Sequence, residues 1–296
     1  MLLAQRKNGI LALVLLCGIM LFASHGCMTF RMSPKEIDAY FRKKHINGSR
    51  HVTGKGSKAT HYVKAGNPHG ALVLFVHGSP GSLSAFIDFL ADSALNRNML
   101  LISADRPGFG HSNFGVAEPS LKKQAAALAR ILREHPSNRP ILLVGHSLGG
   151  PVVARMALDF PELVDGLILV APSIDPVLEP NETWWRAPLA SPFLSWVLPR
   201  SLRASNDEIY HLKPQLEEMA SAWHKITCPV IVIQGEKDSL VPAANAEFAR
   251  EKLVNAKVEI VRKPDMNHFV PWTNPELIRQ AILRLTGELS STFSGN

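Results

Sequence analysis

The sequence is short of cysteine, of internal repetition and, over its first 64 residues, of acidic groups, and each shortage excludes something. Three cysteines occur among 296 residues: Cys17 within an apolar run, Cys27 at its end and Cys228 alone in the remainder. A disulfide framework inside the folded body is therefore excluded, and Cys228, placed before Pro229 at a predicted strand start, reads as an inert core thiol. No repeat or low-complexity tract is present, so one large domain behind an N-terminal extension is expected rather than an array. Acidic residues are scarce only at the start. The formal charge is +7, yet residues 1–30 carry Arg6 and Lys7, residues 31–64 carry nine Lys/Arg against Glu36 and Asp38, and residues 65–296 carry 21 bases against 23 acids. The body is nearly neutral, which argues against a nucleic-acid partner. The basic stretch lies where an anionic membrane surface would attract it, an ordinary solvated face being the plain alternative.

What the first 27 residues do contain is a basic start (Arg6, Lys7), an apolar run over residues 10–23 and small residues at Ser24 and Gly26 before Cys27. That order is the pattern of an export signal. Ser24-His25-Gly26-Cys27 resembles a bacterial lipobox, in which the cysteine becomes the lipid-modified first residue; Gly26 fits and Ser24 departs from the apolar residue preferred there. Ordinary cleavage and an uncleaved anchor stay open beside lipid attachment at Cys27, because no formal charge falls between Asn8 and Phe30 and about 20 apolar residues can span a bilayer. All three readings place the body outside the cytoplasm, in a bacterial cell envelope, with the N-terminus membrane-associated.

Residues 28–59 read as an N-terminal helix and linker. Ser33-Pro34-Lys35-Glu36 is a helix start with a capping box, and Ile37, Tyr40 and Phe41 share one face, which should pack on the domain or lie on a membrane. Two short strands near 51–53 and 60–65 suggest a hairpin. From Ala71 the pattern becomes short continuous apolar runs (72–76, 99–104, 141–144, 167–170, 230–234, 258–261) alternating with helical segments (84–95, 121–135, 148–160, 243–253, 275–289). Runs without polar alternation suit a parallel sheet buried on both faces, so an α/β core is expected over 60–172 and 226–290. Residues 173–225 are too long for one crossover and read as an inserted helical cap over the carboxyl ends of the strands. Trp184, Trp185, Trp196 and Trp223 lie in it, either as its own small core or, for one or two of them, as a substrate wall.

Gly145-His146-Ser147-Leu148-Gly149 matches the Gly-x-Ser-x-Gly nucleophile elbow, with a strand entering it and a helix leaving it. A strand turning sharply into a helix strains its middle residue and needs small neighbours two before and two after, which Gly145 and Gly149 supply. At this point the chain resembles the α/β-hydrolase superfamily, over about residues 60–290. The resemblance implies a mostly parallel eight-stranded sheet with helices on both faces. His77-Gly78-Ser79-Pro80-Gly81 resembles the family's oxyanion loop, implying backbone donors at Ser79 and Leu148. Asp105-Arg106-Pro107-Gly108-Phe109-Gly110-His111-Ser112 resembles its structural glycine-rich loop. Asp238, after Gly235, resembles the acid site and His268 the terminal histidine site, in the order Ser, Asp, His.

Ser147, His268 and Asp238 then have chemical reasons to act together. A serine hydroxyl attacks poorly unless a base takes its proton; an imidazole titrates in the right range to do so, and a carboxylate on its other nitrogen fixes its tautomer. Asp175 also follows a strand and stays open as an alternative acid, while His77 and His146 read as packing and loop-holding groups. The expected reaction is hydrolysis of a small carboxylic ester through an acyl-enzyme on Ser147, without cofactor or metal. Ser147 argues against epoxide hydrolase and haloalkane dehalogenase chemistry, which normally uses Asp there. The oxyanion loop also resembles that of proline iminopeptidases, leaving amide substrates open, as are, less readily, C–C bond hydrolysis and cofactor-free haloperoxidase-like activity. A small-ligand receptor on the same fold is the alternative of another class.

Overall fold

A computed structural model of the protein describes residues 28–293. Its sheet has eight strands: β1 (Ser49–Thr53), β2 (Thr60–Gly66), β3 (Ala71–Val76), β4 (Met99–Ala104), β5 (Ile141–His146), β6 (Gly166–Val170), β7 (Val230–Gly235) and β8 (Val258–Lys263). Their order across the sheet is β1-β2-β4-β3-β5-β6-β7-β8. β1 and β2 form an antiparallel hairpin and β2 runs antiparallel to β4; every other pair is parallel. This is the mostly parallel α/β sheet that the continuous apolar runs imply. Strands β3 to β7 are buried along their whole length, whereas the edge strands β1 and β8 are partly exposed.

Helices α1 (Pro34–Lys43), α2 (Ile87–Leu90), α3 (Ser93–Asn98), α4 (Leu121–Glu134) and α5 (Gly149–Asp159) precede β6. Between β6 and β7 come α6 (Thr183–Ala190), α7 (Arg200–Tyr210) and α8 (Leu212–Ala220), and the chain closes with α9 (Asn245–Lys252), α10 (Val270–Thr273) and α11 (Pro275–Phe293). Because side chains alternate along a strand, β3 sends Leu72, Leu74 and Val76 into one core with α4, α5, α8 and α9, and Val73 and Phe75 into a second core with α1, α2 and α11. Two-sided burial of this kind is the dominant favourable term for the fold.

Local chemistry explains where the helices fall. α1 begins as its sequence implies: Ser33 caps Glu36 N–H and Glu36 returns a 2.6 Å bond to Ser33 N–H. Ile37 and Phe41 are buried in the second core, so this helix packs on the domain. The single helix expected over 84–95 is instead broken into a 3-10 turn, α2 and α3, because the Asp92 carboxylate accepts from Ala94 and Leu95 N–H at 2.9 and 3.0 Å and starts a new helix there. In α8, Leu212, Leu216 and Met219 share one face with Trp223 just beyond, and all four lie in the first core. Trp223 is fully buried, edge-on to Phe248 with ring centroids 5.5 Å apart. It is therefore a residue of the main core and not of a substrate wall. Among the described residues no helix is long and apolar enough to cross a membrane; the apolar run, the export signal and Cys27 lie outside the described residues.

Candidate active site

The middle strand β5 ends at His146 and α5 begins at Gly149, leaving Ser147 and Leu148 to make the turn. Ser147 sits at φ 54°, a left-handed conformation that costs a non-glycine residue on the order of 1–3 kcal/mol. It is held there by its N–H donating to Val170 O at 2.9 Å and its carbonyl accepting from Gly150 N–H at 2.8 Å. Two neighbours have no room for a side chain: a Cβ on Gly145 would lie 2.4 Å from Gly149 O, and one on Gly149 would lie 2.3 Å from Val76 O. Backbone strain at the elbow is thus enforced from both flanks.

Asp238 and His268 are brought together by the loops after β7 and β8. Those loops meet at Gly235, where a Cβ would lie 2.1 Å from Met266 O, and Lys237 N–H donates to the same carbonyl at 3.0 Å. His268 Nδ1 donates to Asp238 Oδ2 at 2.7 Å, while Oδ1 accepts from Leu240 and Val241 N–H at 2.9 and 2.8 Å. Burial pushes the Asp238 carboxyl up, but the His268 hydrogen bond and these two amide donors outweigh it and hold it below its ordinary value. Asp175 does not compete: its carboxylate accepts from Val177 N–H, and its own N–H donates to Asn245 Oδ1.

His146 stands behind His268, its Nε2 donating to His268 O at 2.9 Å with ring centroids 4.9 Å apart. Burial drives its pKa down to about 3, so it is a neutral brace. His77 is likewise kept neutral by burial, with the nearby Arg106 charge acting in the same direction. Asp105 accepts from Leu83 and His111 N–H, one on each oxygen, at 2.7 Å, and ties the glycine-rich loop to the turn before α2. Burial raises Asp105 to about 7 against those amides, and burial raises the Cys228 thiol to about 12.

Ser147 and His268 line one cavity of about 580 Å³, with His77, Gly78 and Ser79 on one side and Leu240, Phe269 and Trp272 on another. Phe30, from the segment before α1, completes the wall. No hydrogen bond joins the Ser147 hydroxyl to His268, a looseness that free active sites often show before substrate draws such groups together. Neither Ser79 nor Leu148 uses its N–H in a hydrogen bond among the described residues. The cap tryptophans do not reach this space. Trp184 and Trp196 are 81% and 60% exposed, Trp185 lies under the Arg186 guanidinium at 4.1 Å, and Trp223 is in the core. No residue of 173–225 lines the cavity, so the expected substrate wall is made instead by Trp272, Phe269, Leu240 and Phe30. Trp272 lies on the short α10 just after His268, which itself precedes the helix, so no helical period in the sequence links the two, although both line the cavity. Among the described residues no cluster of three His, Cys, Asp or Glu side chains could hold a metal ion.

With this geometry in view, comparison with known proteins defines the class. The alpha/beta hydrolase fold family matches residues 71–196. The poly(3-hydroxyalkanoate) depolymerase of Ectopseudomonas oleovorans is 25% identical over 75% of this chain and 86% of its own length. The monoglyceride lipase of Rattus norvegicus is 24% identical over 64% of this chain and 72% of its own. Among solved structures, the lip1 protein of Acinetobacter baumannii AYE superposes with a TM-score of 0.66 at 18% identity, covering 87% of this chain and 96% of that one. The chain has the α/β-hydrolase fold, and the enzymes it is similar to include a depolymerase, thioesterases and lipases.

Proposed function

We propose that the protein is a carboxylic ester hydrolase in which Ser147 is the nucleophile, His268 the general base and Asp238 the orienting acid. The observation that carries this reading is the shared cavity: a serine on a strained elbow and an imidazole already paired to a buried carboxylate face the same space. In the first half-reaction Ser147 Oγ adds to the ester carbonyl as His268 Nε2 takes its proton, and the carbonyl electrons move onto oxygen. The Ser79 and Leu148 N–H groups receive that oxyanion; losing one such donor costs about a hundredfold or more in comparable enzymes. Collapse expels the alcohol, protonated by His268, and water then releases the acid by the same sequence. The imidazole tautomer required is the one the Asp238 contact dictates, with the proton on Nδ1.

The apolar wall of Phe30, Leu240, Phe269 and Trp272 favours a substrate with an apolar acyl or alcohol part, and similarity to a poly(3-hydroxyalkanoate) depolymerase and a monoglyceride lipase supports an ester bond as the target. An exported position, with the N-terminus at the membrane and Cys27 as one possible attachment point, belongs to the same proposal; it is supported by the signal pattern alone, and the mass of the mature N-terminus tests it. A fluorophosphonate probe should label Ser147 stably in the folded protein, and aryl esters of increasing chain length should turn over faster than a proline arylamide. Labelling absent from folded protein favours the receptor reading, and faster cleavage of the arylamide favours the peptidase one.

A further inference from the structure

One buried charge pair lies beside this machinery without belonging to it. Arg106 and Glu208 are fully buried, and their side chains meet in a bidentate pair at 2.6 and 2.9 Å. Arg106 follows β4 and Glu208 lies on α7 of the insertion, 102 residues away. All five guanidinium N–H donors are engaged: Nε with His77 O at 2.8 Å, Nη2 with Gly78 O at 2.9 Å, Nη1 with Gln124 Oε1 at 2.9 Å, and the remaining two with Glu208. The Arg106 N–H also donates to His77 Nε2 at 3.0 Å, which leaves His77 Nδ1 to donate to Gly78 O at 2.7 Å. The two carbonyls so gripped belong to the residues immediately before Ser79. Gly78 in turn abuts the elbow, where a Cβ on it would lie 2.8 Å from Ser147 Cβ.

α7 makes a second contact with the same loop. Ser205 Oγ accepts from Ser79 Oγ at 2.9 Å, and Ser201, at the start of the helix, donates to Met28 O. Ser201, Ser205 and Glu208 fall at i, i+4 and i+7, so α7 buries a polar stripe where an insertion helix would ordinarily bury an apolar one. The ion pair as such does not account for the stripe, because a buried pair is commonly replaceable by apolar side chains without loss; what Arg106 adds is a donor for each of two loop carbonyls.

We propose that this stripe makes Arg106, Glu208 and Ser205 positioning residues that set the oxyanion loop against Ser147. The insertion therefore acts on the reaction from behind the loop and not as a wall of the cavity. The inference rests on the proposed hydrolase reading, and its test separates the two. In the double variant Arg106→Met/Glu208→Leu both charges go together, so neither is left buried alone, while His77 O, Gly78 O and Gln124 Oε1 lose their donors; the protein should fold with a melting temperature lowered by about 5–10 °C. Its kcat on a short aryl ester should fall about 10–100-fold with KM within about twofold, the cost of a loop misplaced by about an ångström. A trifluoromethyl ketone reports the loop directly: Ser147 Oγ bonds to the carbonyl carbon, the π pair moves onto oxygen, and the hydroxyl proton passes to His268. Its affinity should fall by the same factor as kcat. Ser205→Ala, which removes only the hydroxyl facing Ser79, should show the same parallel at about threefold and serves if the double variant does not fold. Unchanged kcat, or a fall in kcat with ketone affinity intact, in either folded variant overturns the positioning role. Wild-type protein that fails to take a fluorophosphonate at Ser147 overturns the hydrolase reading and this inference together.

Discussion

The carboxyl ends of β5, β7 and β8 and the helical insertion between β6 and β7 differ in how they bear on the site. The strand ends carry Ser147, Asp238 and His268 on backbone fixed by hydrogen-bonded parallel strands and by glycines that admit no side chain. The insertion presents large aromatics to solvent, lines none of the cavity, and reaches the site through buried polar groups on one helix face. Aromatic residues of an insertion are thus no guide to the cavity wall, which is built here from Phe30, Phe269 and Trp272 outside it, while a polar residue buried on an insertion helix can be a guide to the geometry of the site.

The contrast breaks first at the strand ends. Ser147→Ala and His268→Ala should each reduce kcat by about 10⁶, with the double variant little worse, since groups acting in one step are not additive; turnover of a chromogenic ester measures it, and additive losses would separate the two residues. Asp238→Asn should cost about 10⁴ through the wrong tautomer, and Asp175→Asn less than about twofold. If those two aspartates exchange effects, the acid is misassigned.

A smaller effect concerns stability. His77 and His146 are held neutral by burial, with pKa values below that of the unfolded chain, so between pH 6.5 and 5 unfolding takes up two protons that the native state refuses. Asp105 acts oppositely: raised to about 7 by burial, it keeps a proton the unfolded chain has released. Asp238, held low, adds a loss only at more acidic pH, as the carboxylate protonates. The two buried histidines outnumber the one buried carboxyl, so a net loss of stability is expected on acidification from pH 6.5 to 5. Thermal melts across that range should show falling stability, and His146→Gln should flatten the slope; a rise on acidification would mean that Asp105 dominates. Smallest are the walls. Trp272→Ala should raise KM for long-chain esters several-fold, by about 1–2 kcal/mol of lost apolar contact, whereas Trp184→Ala and Trp196→Ala should leave kcat/KM within about twofold.

Much of the core is legible in the sequence because its signals are local. Apolar runs such as 72–76, 141–144 and 167–170 suit a sheet covered on both faces, and the elbow announces itself through small residues at fixed offsets around Ser147. Asp238 is singled out by the family resemblance, since Asp175 follows a strand as well, and its carboxylate lies 2.7 Å from His268 Nδ1. The cavity wall and the Arg106–Glu208 pair are not legible, since convergence across 102 residues leaves no period in the chain. For Trp223, left open between core and substrate wall, the sequence carries a deciding signal: Leu212, Leu216, Met219 and Trp223 recur at intervals of four, three and four, the spacing of a helix face that turns inward to a core. Clustering with other tryptophans in sequence concealed it.

Phe30 has a practical consequence for anyone producing the enzyme. It is only two residues from the first described position, at φ 50°, with Met28 O bonded to Ser201 on one side and Met32 O to His111 Nε2 at 3.0 Å on the other. Truncating the N-terminus as far as this segment, or fusing an affinity tag there, would remodel the pocket itself, so preparations with different start points should differ in acyl-chain selectivity even when they melt alike.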